Sequence, residues 1–138
     1  MSNQLAVLFP GIGYHIDKPL LYYSAKLARA RGYDLLAVQY PALPTGLRGH
    51  AEKIEQAVQT ALSAAEEQLT AIDWTAYDRV FFLSKSIGTA IAARYAVQHN
   101  IHPRQVYYTP IEQALPYLDP TGIAFHGTAD PWADTELS

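Results

Sequence analysis

Short apolar runs alternate with longer amphipathic segments along the whole chain. The runs are rich in branched side chains and end at Pro, Gly or polar residues, which is typical of strands buried in a parallel sheet. Five strands are predicted in this way, at 5–9, 35–38, 79–83, 105–108 and 122–125.

The segments between these strands repeat their apolar residues at helical spacing. Helices are therefore predicted over 18–31, 50–71 and 87–99. The stretch between the fourth and fifth strands is bracketed by prolines, which interrupt an α-helix, so only a short helix over 111–117 is expected there.

Strands that alternate with helices indicate right-handed crossovers and a parallel sheet covered on both faces. The sequence thus predicts an α/β fold with a doubly wound, mostly parallel sheet of about five strands in the order 2-1-3-4-5. In such a sheet ligands bind beyond the carboxyl ends of strands one and three. No repeat or linker interrupts the pattern, so a single domain over 1–138 is expected.

Composition and charge narrow the classes of function. Hydrophobic residues make up 49% of the chain and charged residues 17%, which fits a packed interior. The formal net charge is −3 and no basic stripe occurs, so nucleic acid is not an expected partner. The chain has no cysteine, which excludes disulfides, thiolate nucleophiles and cysteine-ligated metals. Neither a signal peptide nor a membrane-spanning stretch is predicted, and we expect a cytoplasmic protein without a cofactor.

A candidate nucleophile lies where the third strand passes into the third helix. The sequence there is Ser84-Lys85-Ser86-Ile87-Gly88, with small residues two before and two after the central serine. A strand-to-helix turn tight enough to expose a catalytic serine needs small residues at both places, because larger ones collide with neighbouring backbone. Ser86 is the predicted nucleophile. The alternative is that Ser86 merely caps the helix.

A candidate acid follows the fifth strand, where His126-Gly127-Thr128-Ala129-Asp130-Pro131 carries a carboxylate to the same edge of the sheet. A carboxylate in that position orients an imidazole and stabilises it when protonated. Asp130 is the predicted acid, with a local turn or helix cap as the alternative. His126 precedes the acid and is interpreted as a residue that holds the end of the strand.

The loop after the first strand is a candidate oxyanion hole. Gly11 and Gly13 allow backbone N–H groups to approach a substrate oxygen, so the N–H groups of Ile12 and Ile87 are predicted to bind the oxyanion. A dinucleotide-binding loop is the weaker interpretation, because Ile16 stands at the place of the third glycine.

These three motifs, FPGIG at 9–13, LSKSIG at 83–88 and HGTADP at 126–131, resemble in order and spacing those of α/β-hydrolase-fold serine hydrolases. The chain is similar to a compact member without a cap domain. The resemblance implies an esterase- or thioesterase-like enzyme that acts on a small acyl substrate through an acyl-enzyme.

In that family the catalytic histidine follows the acid. The five histidines of this chain all precede Asp130; they are His15, His50, His99, His102 and His126. We expect a fragment that lacks a last strand, a helix and the histidine loop, and that is inactive or impaired; the alternative is a non-catalytic fold used for binding. His15 and Lys85 are disfavoured as bases. The fifth strand is expected to be an apolar sheet edge through which a homodimer forms.

Overall fold

The chain forms a five-stranded parallel sheet with helices on both faces. The computed structural model describes residues 3–11, 19–44, 46–47 and 49–126. The strands are β1 (Gln4–Phe9), β2 (Asp34–Ala37), β3 (Arg79–Lys85), β4 (Arg104–Tyr108) and β5 (Ile123–Phe125). Their order is β2-β1-β3-β4-β5, and every neighbouring pair is parallel. The predicted fold class and strand order are confirmed.

Three α-helices connect the strands. They are α1 (Pro19–Ala30), α2 (Ala51–Leu69) and α3 (Ile87–Gln98). The expected short helix is a 3₁₀ helix (Glu112–Tyr117) with Pro116 inside it, and a further 3₁₀ turn (Trp74–Ala76) was not predicted. The ends of the three α-helices agree with the prediction to within two residues. In the described part of the chain, none of the helices is long and apolar enough to cross a membrane.

Alternate side chains of each strand point to opposite faces of the sheet, so two hydrophobic cores of unequal size form, one on each face. The larger core lies beneath α2 and α3 and includes Phe9, Phe82 and Tyr95. The rings of Phe9 and Phe82 pack 4.9 Å apart between centroids. The smaller core lies beneath α1, and its buried members are Ala6, Leu8, Leu21, Ala25 and Leu83.

The described residues cover the face beneath α1 over only part of its width. Helix α1 packs on β1, β2 and β3, and a groove of about 440 Å³ lies between it and β4. Beyond the groove, β5 ends the order of the described strands, and its Ile123 and Phe125 side chains are 56% and 53% exposed. The described residues therefore leave an apolar edge at β5.

Candidate active site

A single residue, Ser86, joins β3 to α3. The strand ends at Lys85 and the helix begins at Ile87, so the chain reverses direction within one residue. The backbone of Ser86 has φ 55° and ψ −124°, a conformation that residues other than glycine rarely adopt. Strained backbone of this kind concentrates at functional sites. The turn has the sharpness expected of a nucleophile elbow, and it holds Ser86 at the carboxyl edge of the sheet.

Hydrogen bonds fix the backbone of Ser86 on both sides. Its N–H donates to the carbonyl oxygen of Tyr108 at 2.9 Å. Its carbonyl oxygen accepts from the Thr89 N–H at 2.9 Å and from the Thr89 hydroxyl at 2.7 Å. The Ser86 side chain makes no capping hydrogen bond to α3, so the interpretation of this serine as a simple helix cap is wrong. The main chain is held rigidly, while the hydroxyl has no role in holding the helix.

The glycine two residues after Ser86 allows α3 to approach the end of β1. A Cβ atom at Gly88 would lie 2.0 Å from the carbonyl oxygen of Phe9 and 2.7 Å from that of Pro10. Two residues before Ser86, the fully buried Ser84 hydroxyl donates to the Val106 carbonyl oxygen at 3.3 Å. A serine is thus accommodated at this place because its hydroxyl finds a partner on β4.

The described part of the loop after β1 is buried and anchored by a tyrosine. The Tyr40 hydroxyl donates to the Pro10 carbonyl oxygen at 2.9 Å. Burial raises the pKa of Tyr40, so the phenol stays protonated and remains a donor. On the other side of the turn, Ile87 is the first residue of α3, and its N–H therefore has no acceptor within the helix. Ile12, the second predicted oxyanion donor, lies outside the described residues.

Thr109, which the sequence analysis did not single out, is a second strained residue at this edge. Its φ is 47°, an outlier for a β-branched residue. Its N–H donates to the Phe125 carbonyl oxygen and its hydroxyl to the Tyr108 carbonyl oxygen, both at 2.7 Å. The Tyr108 carbonyl thus receives bonds from both strained residues, which ties together the ends of β3, β4 and β5. The only signal in the sequence was its position at a strand end.

The remaining candidates are only partly described. Asp130 and His15 lie outside the described residues. His126 directly follows β5 and is exposed. His99 lies at the far end of α3 from Ser86, where it stacks on Tyr95 with the ring centroids 4.0 Å apart. The side chain of Lys85 is buried.

Two other histidines lie outside the elbow. His50 precedes α2 and His102 precedes β4, and both are exposed. Within residues 3–11, 19–44, 46–47 and 49–126, no group of three or more His, Cys, Asp or Glu side chains is arranged to hold a metal ion.

Comparisons with known proteins support the fold. No protein-family model matches the sequence. No curated protein matches it either. Among solved structures, the chain is similar to a protein of Xanthomonas campestris pv. campestris described as a proposed hydrolase of the alpha/beta superfamily, with a TM-score of 0.55 and 21% identity. The match covers 90% of this chain and 66% of that one. At this identity the likeness establishes an α/β-hydrolase-like fold.

Proposed function

We propose that this fold belongs to a serine hydrolase of esterase or thioesterase type that acts on a small acyl substrate. The observation that carries the proposal is the backbone of Ser86, which has a positive φ between a buried strand and a helix. Such strain costs free energy, and it persists only when the surrounding structure determines it. Here the surrounding bonds come from Tyr108 and Thr89.

In the proposed reaction, the Ser86 oxygen attacks the carbonyl carbon of the acyl group while its proton passes to a histidine base. The tetrahedral intermediate collapses to an acyl-enzyme, and the leaving group takes the proton from the imidazolium. Water, activated by the same base, then attacks the acyl-enzyme and releases the acid. By resemblance, Asp130 orients the base, which in the family follows the acid in sequence.

The start of α3 supplies the electrostatic part of the mechanism. The N–H of Ile87 is free of helical acceptors, and the positive end of the helix dipole lies at the same point. Ser86 is only 2% exposed, so charge that develops beside it is poorly screened by water. In the proposal, the backbone amides of Ile87 and Ile12 stabilise the oxyanion. Tyr40 anchors Pro10 by a hydrogen bond, and the missing side chain of Gly88 lets α3 lie close to Pro10.

Covalent labelling tests the proposal directly. The chain is incubated with a fluorophosphonate probe, with and without added imidazole, and the adduct is located by peptide mass spectrometry. We expect labelling at Ser86, because an activated hydroxyl attacks the probe, and faster labelling when added imidazole acts as an external base.

Two variants control for unspecific reaction. Ser86→Ala is expected to abolish the adduct, whereas Ser63→Ala, which alters an exposed serine on α2, is expected to leave it unchanged. If no adduct forms at Ser86 even with imidazole, the hydrolase proposal is wrong, and a non-catalytic binding protein becomes the better interpretation.

A further inference from the structure

The groove between α1 and β4 has three arginines at one of its ends. Its volume of about 440 Å³ is within the range of pockets that hold small ligands. Arg79 begins β3, Arg104 begins β4 and Arg31 follows the last residue of α1, so all three border the groove at the amino edge of the sheet. Ser86 lies at the opposite, carboxyl edge. The arginine end of the groove is therefore a different place from the candidate active site.

Two of these arginines are neighbours on the sheet. Arg104 pairs in register with Phe81, which lies two residues after Arg79 on β3. Arg79 and Arg104 therefore share a face of the sheet, with their Cα atoms about 8 Å apart given the rise along a strand and the spacing between strands. Like charges this close repel each other, and no acidic side chain of the described residues forms an ion pair with either. An anion bound at this end relieves the repulsion.

The rest of the groove is mostly apolar. Its floor is formed by the buried Leu83 and the half-buried Phe81 and Val106. At the end away from the arginines, the hydroxyl groups of Ser24 and Tyr108 are hydrogen-bonded to each other at 2.8 Å. None of the described residues that line the groove is Asp or Glu. Positive charge is thus concentrated at one end, and apolar surface leads away from it along β3 and β4.

We propose that this groove binds an ionised carboxylic acid with an apolar chain. A guanidinium group presents a planar fork of N–H donors that matches the two oxygens of a carboxylate. The apolar chain of the ligand lies on the floor of the groove and removes this surface from water. A cationic ligand is repelled by the three positive charges, and a neutral one leaves them without an anion. The groove is therefore complementary to an amphipathic anion in charge and in polarity.

Octanoate is a suitable probe, because it joins one carboxylate to one unbranched apolar chain. The whole protein, labelled with ¹⁵N, is titrated with octanoate, 1-octanol or acetate, and the backbone amide resonances are followed by NMR. We expect the amides of Phe81 and Val106 to shift with octanoate, and octanoate to bind about tenfold more tightly than 1-octanol, as charge-assisted hydrogen bonds allow. Added salt should reduce this preference, because it screens exposed arginines. Acetate has no chain to bury and should bind far more weakly than octanoate.

Two double variants separate recognition at the groove from a general effect of charge. Arg79→Gln with Arg104→Gln is expected to lose the preference for octanoate over 1-octanol, because it removes two of the three charges. Both arginines are exposed, so this variant should fold with an unchanged midpoint of thermal unfolding. Arg29→Gln with Lys53→Gln removes the same net charge at exposed positions outside the groove lining, and it is expected to keep the preference.

Several outcomes would overturn the proposal. Octanoate binding no more tightly than 1-octanol would show that the arginines do not recognise a carboxylate. An unchanged preference in the variant of Arg79 and Arg104 would place the ligand elsewhere, as would shifts confined to the start of α3. No shift at the floor of the groove with either compound would show that another part of the chain or a second copy occupies it. Binding is measured without any reaction of Ser86, so this site and the proposed hydrolase succeed or fail separately.

Discussion

Ser86 keeps a conformation that costs free energy in the folded state. A non-glycine residue held at such angles is destabilised by roughly 1–3 kcal/mol, and the neighbouring hydrogen bonds must offset this. Here the Tyr108 carbonyl and both polar groups of Thr89 do so. At the scale of single residues, the candidate site is therefore a place where stability and function conflict.

This conflict predicts that Ser86→Gly stabilises the protein. Glycine adopts a positive φ without strain, so we expect the free energy of unfolding to rise by about 1 kcal/mol after allowance for its more flexible unfolded state. Urea denaturation measures the change. Ser63→Gly, at an exposed position within α2, should have the opposite sign and lose about 0.5 kcal/mol. Equal losses in the two variants would contradict the strain at Ser86.

Gly88 should tolerate no side chain. In Gly88→Ala, the new Cβ would overlap the Phe9 carbonyl, so either the start of α3 or the end of β1 must move. We expect a loss of about 3 kcal/mol in urea denaturation, at the upper end of overpacking effects. Gly46→Ala is the comparison, because its φ of 69° is strained but nothing lies within 4 Å of its Cβ, so about 1 kcal/mol is expected. A smaller loss at Gly88 than at Gly46 would show that the two elements are not in close contact.

At the scale of residues, the sequence predicted local requirements and missed distant ones. The need for small side chains at 84 and 88 could be predicted, because the tight turn at 86 that requires them is only two residues away. The bond from Tyr40 to Pro10 joins residues far apart in the chain, and Thr109 is held by β5. The periodicity of the sequence does not predict such contacts, because they depend on how the strands are placed in the sheet.

At the scale of elements, one arginine links three of them. Arg94 on α3 binds both carboxylate oxygens of Glu55 on α2 at 2.7 Å, and it donates to the Gln113 carbonyl oxygen of the 3₁₀ helix at 3.1 Å. The ring of Tyr117 lies 4.9 Å from the guanidinium carbon. A bidentate geometry of this kind is stronger than a typical surface ion pair. The ion pair therefore joins α3 to α2, and the contacts of Arg94 with Gln113 and Tyr117 join the 3₁₀ helix to α3.

This ion pair predicts a pH-dependent contribution to stability. The hydrogen bond from Arg94 lowers the pKa of Glu55 in the folded state. The stabilisation is therefore fully present above the unfolded pKa of about 4.3, and it is lost as the pH falls through the lower folded value. Glu55→Gln should cost up to about 1 kcal/mol at pH 7, because solvent screens the partly exposed carboxylate. The cost should be smaller at pH 3 than at pH 7, because protonation of the carboxylate removes its charge from the ion pair, and urea denaturation measures the difference.

Glu67→Gln provides the matched control, since Glu67 is an exposed acid on the same helix. Its cost should be close to zero at both pH values. A cost of Glu55→Gln that stays constant between pH 3 and pH 7 would show that the carboxylate charge contributes nothing.

The elements themselves were largely predictable, because their hydrophobic periodicity is strong. The exceptions are short and local. Pro116 has no N–H to donate, so the segment that contains it becomes a 3₁₀ helix. The turn at Trp74–Ala76 rests on the Asp73 carboxylate, which accepts from the Thr75 N–H at 3.0 Å. Three residues are too few for a periodic signal.

At the scale of the whole molecule, the described residues cover the two faces of the sheet unequally. The sequence predicted helices on both faces, and this holds. The width that each helix covers depends on three-dimensional packing, which the hydrophobic pattern does not encode. Exposed apolar side chains on β5 and α1 are one result, namely Leu27, Ile123 and Phe125.

The apolar edge that the described residues leave at β5 leads us to propose that the chain self-associates. Unpaired strand edges with apolar side chains pair readily with other copies. Light scattering at rising concentration should show dimers or larger species. The double variant Ile123→Lys with Phe125→Lys should shift the population towards monomer, because charged edge residues oppose pairing.

Leu115→Lys places one positive charge on an exposed apolar residue outside β5, so it should not change the association. A monomer at all concentrations in the unmodified chain would contradict the proposal.

The uneven cores also have a consequence for how the native state opens. Among residues 21–30 of α1, whose burial is described, Leu21 and Ala25 are buried, whereas α3 is buried along most of its length. Units with little buried apolar surface open without global unfolding. In native-state hydrogen exchange, the amides of 21–30 should therefore exchange through a partial opening that leaves α3 protected. Such a species, with α1 detached and the rest of the sheet intact, would be the least stable cooperative unit among the described helices.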